Sequence, residues 1–340
     1  MIVFTGDVNL TDNAFDVGYG VGSSIAKGYN PFTNIQKNHN DYWIGNFEGV
    51  CSYKSELKSY LKDCFRLCPT DYTFDELFDC YGVANNHVME HGPEAYIETI
   101  ESIRSKGIQT FGSIPEKYIK FYHENRSIGI LGFSLRNDNH PFNSLYWNCP
   151  EYNEILNEFQ KIKSCDYKVA YIHWGVEFIQ YPSDNQKRFA HWLIDVGFDL
   201  IIGMHPHVLQ GYEIYNNRYI FYSLGNFVFN MQWENARYGA IVTLDVKDGN
   251  VDCQYIYIDD QYSPKVIPES DVPHKLRFDY LNSKLTQSEN IETYCKKSDK
   301  SLQLYRRANY LSVCKNIYRS KLIFSISIIK DFIWRRLKMK

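Results

Sequence analysis

The chain contains no CxxC pair, no apolar run near the ~20 residues that would cross a bilayer, and little excess of either charge. Its nine cysteines, at positions 51, 64, 68, 80, 149, 165, 253, 295 and 314, are an odd number. Cys64 and Cys68 lie four apart, but no second pair matches them. A structural zinc site is therefore not expected, and free thiols in a reducing compartment are. The formal net charge of −3 gives no electrostatic reason to expect nucleic acid as a partner. Met1 leads directly into the strand-like Ile2-Val3-Phe4 rather than a basic segment followed by an apolar core, so no secretory signal is expected. No internal repeat is evident. What remains is a chain of 340 residues with 44 % hydrophobic content, enough for a large domain plus an extension.

Through about residue 262, strand-like and helix-like segments alternate. Strands are expected at Ile2–Thr5, Tyr42–Ile44, Ile128–Phe133, Val169–Ile172, Leu200–Ile202 and Tyr219–Ser223. Thr73-Phe74-Asp75-Glu76 has capping-box spacing and predicts a short helix. Pro93 and Gly107 bracket a second helix, and Glu151–Ser164 has helical spacing. Ser183 with Gln186 predicts a further helix ending at Gly197. A hairpin is expected across Asp248-Gly249-Asn250, between Ala240–Val246 and Val251–Ile258. The order favours an α/β sheet core with antiparallel additions. Near Ser263-Pro264 the pattern changes, which divides the chain into a domain over 1–262 and a helical, basic extension over 263–340. The last forty residues carry ten lysines or arginines against one acid, Asp331. That tail is compatible with a helix packed on the domain or on a second subunit, and with one lying on an anionic membrane surface.

The chemistry concentrates at strand ends. Gly203-Met204-His205-Pro206-His207 follows a short β-branched strand and places two imidazoles two residues apart, with a proline fixing the backbone between them. Neutral imidazole is the commonest protein metal ligand, and α/β proteins gather ligands at the carboxyl ends of their strands. Gly6-Asp7, Asn46-Phe47-Glu48, Asn85-Asn86-His87 and His173-Trp174-Gly175 end other strand-like runs. Together these five clusters supply carboxylate, amide and imidazole donors without thiolate, a set suited to one or two divalent ions of Mn, Fe or Zn. Glu177 and Glu213, near the histidines in sequence, are candidates to orient imidazoles. Trp174, Trp233 and Tyr181 are candidates to line a groove for sugar or polymer.

The ordered motifs Gly6-Asp7-Val8-Asn9-Leu10, Asn46-Phe47-Glu48-Gly49, Ala84-Asn85-Asn86-His87 with Glu90 and Gly92, His173-Trp174-Gly175 with Glu177, and Gly203 to Glu213 are followed by Tyr222-Ser223-Leu224-Gly225-Asn226-Phe227. This set resembles the poly-gamma-glutamate capsule synthesis protein CapA family, related to the calcineurin-like metallophosphoesterases, over about residues 1 to 262. The resemblance implies an α/β fold, the αββα sandwich of metallophosphoesterases, here with a C-terminal helical extension. It implies Asp7 as ligand to one metal with His207, Glu48 as a bridging carboxylate, and Asn86, His173 and His205 at the second metal. His87 would be the catalytic acid or phosphate-contacting donor beside the metals. Asn9, Asn226 and Trp174 are the expected substrate contacts. Where phosphoesterases carry a histidine two residues after the first aspartate, this chain has Asn9, which leaves one ion or two open. Where the family pattern has aspartate, it has Glu90.

Three functions follow as expectations. The first is a metal-dependent hydrolase of the phosphoesterase type acting in capsule or surface-polymer biosynthesis, on a phosphorylated or polymeric intermediate. The second is a non-catalytic accessory protein of capsule or polysaccharide assembly with a structural metal site. The third is a metal-dependent hydrolase of gamma-glutamyl amides. The expected location is cytoplasmic, at the inner membrane face if the C-terminal tail contacts lipid or an assembly protein there.

Overall fold

The computed structural model describes residues 1–330 except 74, 137–139, 287, 289, 321 and 328. Two β-sheets face one another. The first runs in the order Pro264–Ile267, Val251–Ile258, Tyr238–Leu244, Ile2–Val8, Tyr42–Phe47, Cys80–Gly82 and Gln109–Phe111, with Asn226–Val228 alongside the end of Ile2–Val8. The second runs Tyr212–Tyr215, Arg218–Phe221, Leu200–Met204, Tyr167–His173, Arg126–Ser134 and Tyr118–His123. Ile2–Val8, Tyr42–Phe47, Cys80–Gly82 and Gln109–Phe111 are mutually parallel, as are the four inner strands of the second sheet. Parallel neighbours end on the same side, and this brings the polar clusters to one edge.

Side-chain alternation along each strand builds three core layers. Ile2, Phe4, Ile44 and Phe111 meet Ile128, Ile130, Val169 and Ile202 between the sheets. On the other face of the first sheet, Val3, Trp43 and Tyr81 share a cluster with Tyr96 and Ile103, which belong to the helix Pro93–Arg104. Outside the second sheet, Leu131, Phe133, Ala170 and Ile172 pack with Ile155, Phe159, Leu193 and Ile194 of the helices Tyr152–Ile162 and Asp184–Val196. The expected αββα sandwich is the observed architecture.

Local signals act as their chemistry dictates, with one exception. Pro93 opens its helix, and the Ser183–Gln186 capping box forms, with Gly197 ending that helix at a φ of 122°. The hairpin register places Leu244 opposite Val251. The helix expected after Thr73 does not form among the described residues. Asp75 instead accepts hydrogen bonds from the backbone N–H groups of Leu77 and Phe78, both at 3.2 Å. The Tyr72 hydroxyl also donates to it, at 2.7 Å, and so does that of Tyr81. A short polar side chain so engaged competes with helix formation.

Past residue 262 the first sheet continues, since Pro264–Ile267 pairs antiparallel with Val251–Ile258. Val272, Leu276, Phe278 and Leu281 then enter the core between the sheets. A helix over Ile291–Asn316 follows, capped by Asn290, whose side chain accepts from the Thr293 N–H at 2.8 Å. No helix among the described residues is long and apolar enough to cross a membrane. The basic end, with Arg335, Arg336, Lys338 and Lys340, lies outside the described residues. None of the nine cysteines forms a disulfide.

Candidate metal centre

Strand register sets the site. Asp7 stands opposite Asn46 on one side and Asn226 on the other, and His173 stands opposite Met204, immediately before His205. The backbones must approach closely here: a Cβ on Gly6 would lie 1.9 Å from the Gly225 carbonyl oxygen, so only glycine fits before Asp7. His205 and His207 both adopt positive φ, 97° and 56°. Such conformations persist only where surrounding contacts impose them. The His205 N–H donates to Asp7 Oδ2 at 3.2 Å, and the Pro206 carbonyl accepts from the Phe178 N–H at 2.8 Å.

The six expected ligands come together. His173 Nε2 lies 2.8 Å from Asn86 Oδ1 and 3.0 Å from His205 Nδ1. Asp7 Oδ2 is 3.4 Å from His207 Nδ1. Glu48 Oε1 stands 3.8 Å from His173 Nε2 and also 3.8 Å from His207 Nε2. Glu48 thus sits between the Asn86–His173–His205 group and the Asp7–His207 pair. Grouped by ligand-atom separation within 4.8 Å, the sets are Glu48 with His205 and His207, and Asp7 with Glu48 and His173. Both groupings share Glu48; they divide the histidines differently.

The donor atoms fit a cation. All six residues are at most 2 % exposed, yet both carboxylate oxygens of Glu48 and Nε2 of His205 lack any hydrogen-bond partner. Buried polar atoms are rarely left so, and oxygens and imidazole nitrogens converging without donors are what a divalent ion satisfies. Burial, followed by the charge of Asp7, drives the Glu48 carboxyl well above the ordinary range. Burial also lowers His173 to about 3 and pushes His205 well below the usual imidazole value, so both rings are neutral and free to ligate at neutral pH. His207 is the opposite case: burial lowers it, but the Glu48 charge and the Asp7 hydrogen bond and charge outweigh that and lift it to about 9. Burial raises Asp7, yet His207, His173 and Asn46 hold it below the ordinary carboxylate value.

His87 lies beside this cluster as expected. Its Nε2 is 3.8 Å from Glu48 Oε1, and its side chain retains 13 % exposure. Glu90 Oε2 accepts from Nδ1 at 2.8 Å, so the glutamate in place of the family's aspartate orients His87.

The three expected substrate contacts are all buried. Trp174 is fully buried in the core outside the second sheet, and its indole N–H donates to the Tyr222 carbonyl at 2.9 Å. Asn226 is buried too; its Oδ1 lies 2.9 Å from His207 Nδ1 and its Nδ2 donates to the Ala236 carbonyl at 2.9 Å, so it positions a candidate ligand. Asn9 is buried, with Oδ1 taken up by the Thr11 N–H at 2.8 Å and the Thr11 hydroxyl at 2.6 Å. Glu213 does not orient a histidine of the site either, since it pairs with His191 at 2.7 Å and accepts from the Tyr222 hydroxyl. Tyr181 and Trp233 do line a cavity, of about 390 Å³, with Phe178, Gln180, Lys284 and Lys297.

Asn46 belongs to the expected Asn46-Phe47-Glu48 cluster, where no role of its own was assigned to it. Its Nδ2 donates to Asp7 Oδ1 at 2.8 Å and lies 3.3 Å from His173 Nδ1, while its Oδ1 accepts from Asn85 at 3.2 Å. The signal was its place two residues before Glu48, on the same face of a strand adjoining Asp7.

Fold and site together define an αββα protein with a buried carboxylate–imidazole centre. The model of the family "Bacterial capsule synthesis protein PGA_cap" matches residues 1–231. The chain belongs to that family. It is 32 % identical over 224 residues to the PGA biosynthesis protein CapA of Bacillus subtilis, covering 61 % of this chain and 58 % of that one. It is 30 % identical over 233 residues to the capsule biosynthesis protein CapA of Bacillus anthracis, covering 62 % and 56 %. The match therefore spans little more than half the length of these relatives. Among solved structures it is similar to a phosphatase of Mycoplasma pneumoniae, with a TM-score of 0.45, 15 % identity and coverage of 77 % of this chain and 95 % of that one. It is also similar to a putative 5'-nucleotidase of Staphylococcus aureus, with a TM-score of 0.44, 13 % identity and coverage of 88 % and 58 %.

Proposed function

We propose that the chain is a metal-dependent hydrolase of the phosphoesterase type, acting on a phosphorylated or polymeric intermediate of capsule biosynthesis. The observation that carries this reading is Glu48, a buried carboxylate with both oxygens unpartnered, set between two groups of imidazoles. Asp7, Glu48, Asn86, His173, His205 and His207 would hold one or two ions of Mn, Fe or Zn. Such ions, when bound, lower the pKa of water and stabilise charge on a phosphoryl oxygen. Asn46 and Asn226 fix the orientation of Asp7 and His207. His87, oriented by Glu90 and the most exposed imidazole of the cluster, is the group placed to pass a proton to a leaving oxygen. The test is hydrolysis of an activated phosphodiester and a gamma-glutamyl anilide side by side, with Mn²⁺, Fe²⁺ or Zn²⁺ added. Phosphodiester turnover that needs metal and falls at least about 100-fold in His87→Ala is expected. Turnover of the anilide alone would move the assignment to amide hydrolysis.

Metal uptake carries its own signature. His207 of the metal-free protein, lifted to about 9, holds a proton at pH 7 that a metal must displace. Apparent affinity is therefore expected to rise with pH until His207 has titrated and to fall below it. Calorimetric heats should vary with the ionisation enthalpy of the buffer; heats independent of the buffer would contradict this.

The second reading is a non-catalytic accessory role, which the complete burial of the ligands favours. A Mycobacterium tuberculosis relative, 22 % identical over 218 residues, carries the name "Probable polyglutamine synthesis accessory protein". Tight metal binding without turnover of either substrate would support this role.

A further inference from the structure

The ligand cluster is covered on its His207 side, and the cover is aromatic. Phe65 stacks on His87 with ring centroids 4.1 Å apart, while Phe229 and Phe178 stand 4.7 and 6.1 Å from the His207 ring. The helix Ile291–Asn316 closes over this layer. Tyr305 stacks on Phe178 at 4.7 Å and meets Phe15 edge-on at 6.0 Å. Leu302 packs into the cluster of Phe178 and Phe229, and Tyr310, Val313 and Phe324 into that of Phe15 and Phe65. Polar ties fasten the helix to the loop that follows His173. Ser298 Oγ donates to the Glu177 carbonyl at 2.9 Å, and the Tyr294 hydroxyl to the Tyr181 carbonyl at 2.8 Å.

The outer face of the same segment has a different character. Tyr318 is 81 % exposed and Leu322 75 %, with Leu311, Ile323 and Ile326 also exposed. From 301 to 330 the chain carries six lysines or arginines and no acid. A large exposed apolar surface marks an interaction site, and one interspersed only with cations matches an anionic lipid surface.

We propose that the helix Ile291–Asn316 is a removable cover over the metal centre, and that the outer face it shares with Tyr318, Leu322, Ile323 and Ile326 binds an anionic lipid surface that draws the cover away. The inference rests on the metal-site reading only for what is uncovered. Tyr305 on Phe178 closes the approach to the ligands from the His207 side, while the His87 side chain keeps 13 % exposure. Lipid binding would open the His207 side by giving the helix an alternative partner, a shift of population between two dockings of one helix.

The test is labelling of His205, buried and neutral, by diethyl pyrocarbonate in the metal-free full-length protein, read by peptide mass spectrometry. It needs neither metal nor turnover, so it separates failure of the cover from failure of the metal assignment. Labelling follows the open fraction, and a rise of about tenfold or more is expected with phosphatidylglycerol-containing vesicles. Phosphatidylcholine vesicles should leave it unchanged. Tyr305→Ala should raise labelling without lipid. Lys315→Gln combined with Leu322→Gln, both on the outer face, should keep the low basal labelling and lose the lipid response. Vesicle binding without added labelling of His205, or labelling unchanged by anionic vesicles, would overturn the proposal.

Discussion

Replacing Glu48 by leucine is expected to make the metal-free protein more stable and to remove its capacity for metal. The wild-type side chain is fully buried with neither oxygen hydrogen-bonded. Leaving a buried acceptor unsatisfied costs about 1–3 kcal/mol, and an apolar group of similar size avoids that cost. A gain of ~1–3 kcal/mol in denaturant unfolding of the metal-free protein is therefore expected. The gain depends on pH with a definite sign. Burial and Asp7 raise the folded-state pKa of Glu48 well above 4.5. Relative to leucine, the wild type is then best off below the unfolded value, and it loses stability as pH rises through the folded one. The advantage of Glu48→Leu should be smallest in acid and grow toward alkaline pH. Metal affinity should move the other way, by more than about 100-fold, since loss of a group that merely supports a ligand already costs about 10–100-fold. A less stable metal-free variant that still holds metal would show that Glu48 is not where the ion sits.

Trp174→Ala is expected to produce the largest loss of stability, and to do so without a specific effect on substrate. The indole is fully buried among Phe189, Tyr222 and the apolar face of the second sheet. Deleting such a side chain costs about 3–5 kcal/mol, and the Tyr222 carbonyl loses its donor as well. Trp174→Phe should recover much of the packing while leaving that carbonyl unpaired, for a loss of about 1–3 kcal/mol. Thermal or denaturant unfolding checks both. A loss below about 1 kcal/mol in Trp174→Ala, together with a raised KM, would return this residue to the substrate groove.

The contrast between these two residues shows what was legible in the sequence. Glu48 and the histidines could be read because each ends a strand of a parallel sheet, where topology alone converges the ends. Trp174 is adjacent to His173 in the chain, but strand alternation turns it to the opposite face, toward the helices. Sequence adjacency suggested a substrate contact, while the geometry places the indole among core side chains. Asn226 was recognised as part of a motif, yet only the register that sets it against Asp7 reveals that it serves His207. Asn46 was likewise named in a cluster without a role of its own, because its partners Asp7 and His173 come from a neighbouring strand and from the facing sheet. The capping box at Thr73 misled because it is a local signal, while the tyrosines that capture Asp75 include one from the strand that follows. The cover over the site was illegible altogether, since it joins Phe65 and Phe178 to a helix more than a hundred residues further along the chain.

The central claim is that this buried cluster is a metal centre, and the most direct test is elemental analysis of the full-length protein after reconstitution with Mn²⁺ or Zn²⁺ and exhaustive dialysis. Wild type should retain about one or two equivalents, and His205→Ala, which removes an imidazole 3.0 Å from His173, should lose all or half of them. No metal retained by the wild type, or equal retention by His205→Ala, would contradict the account.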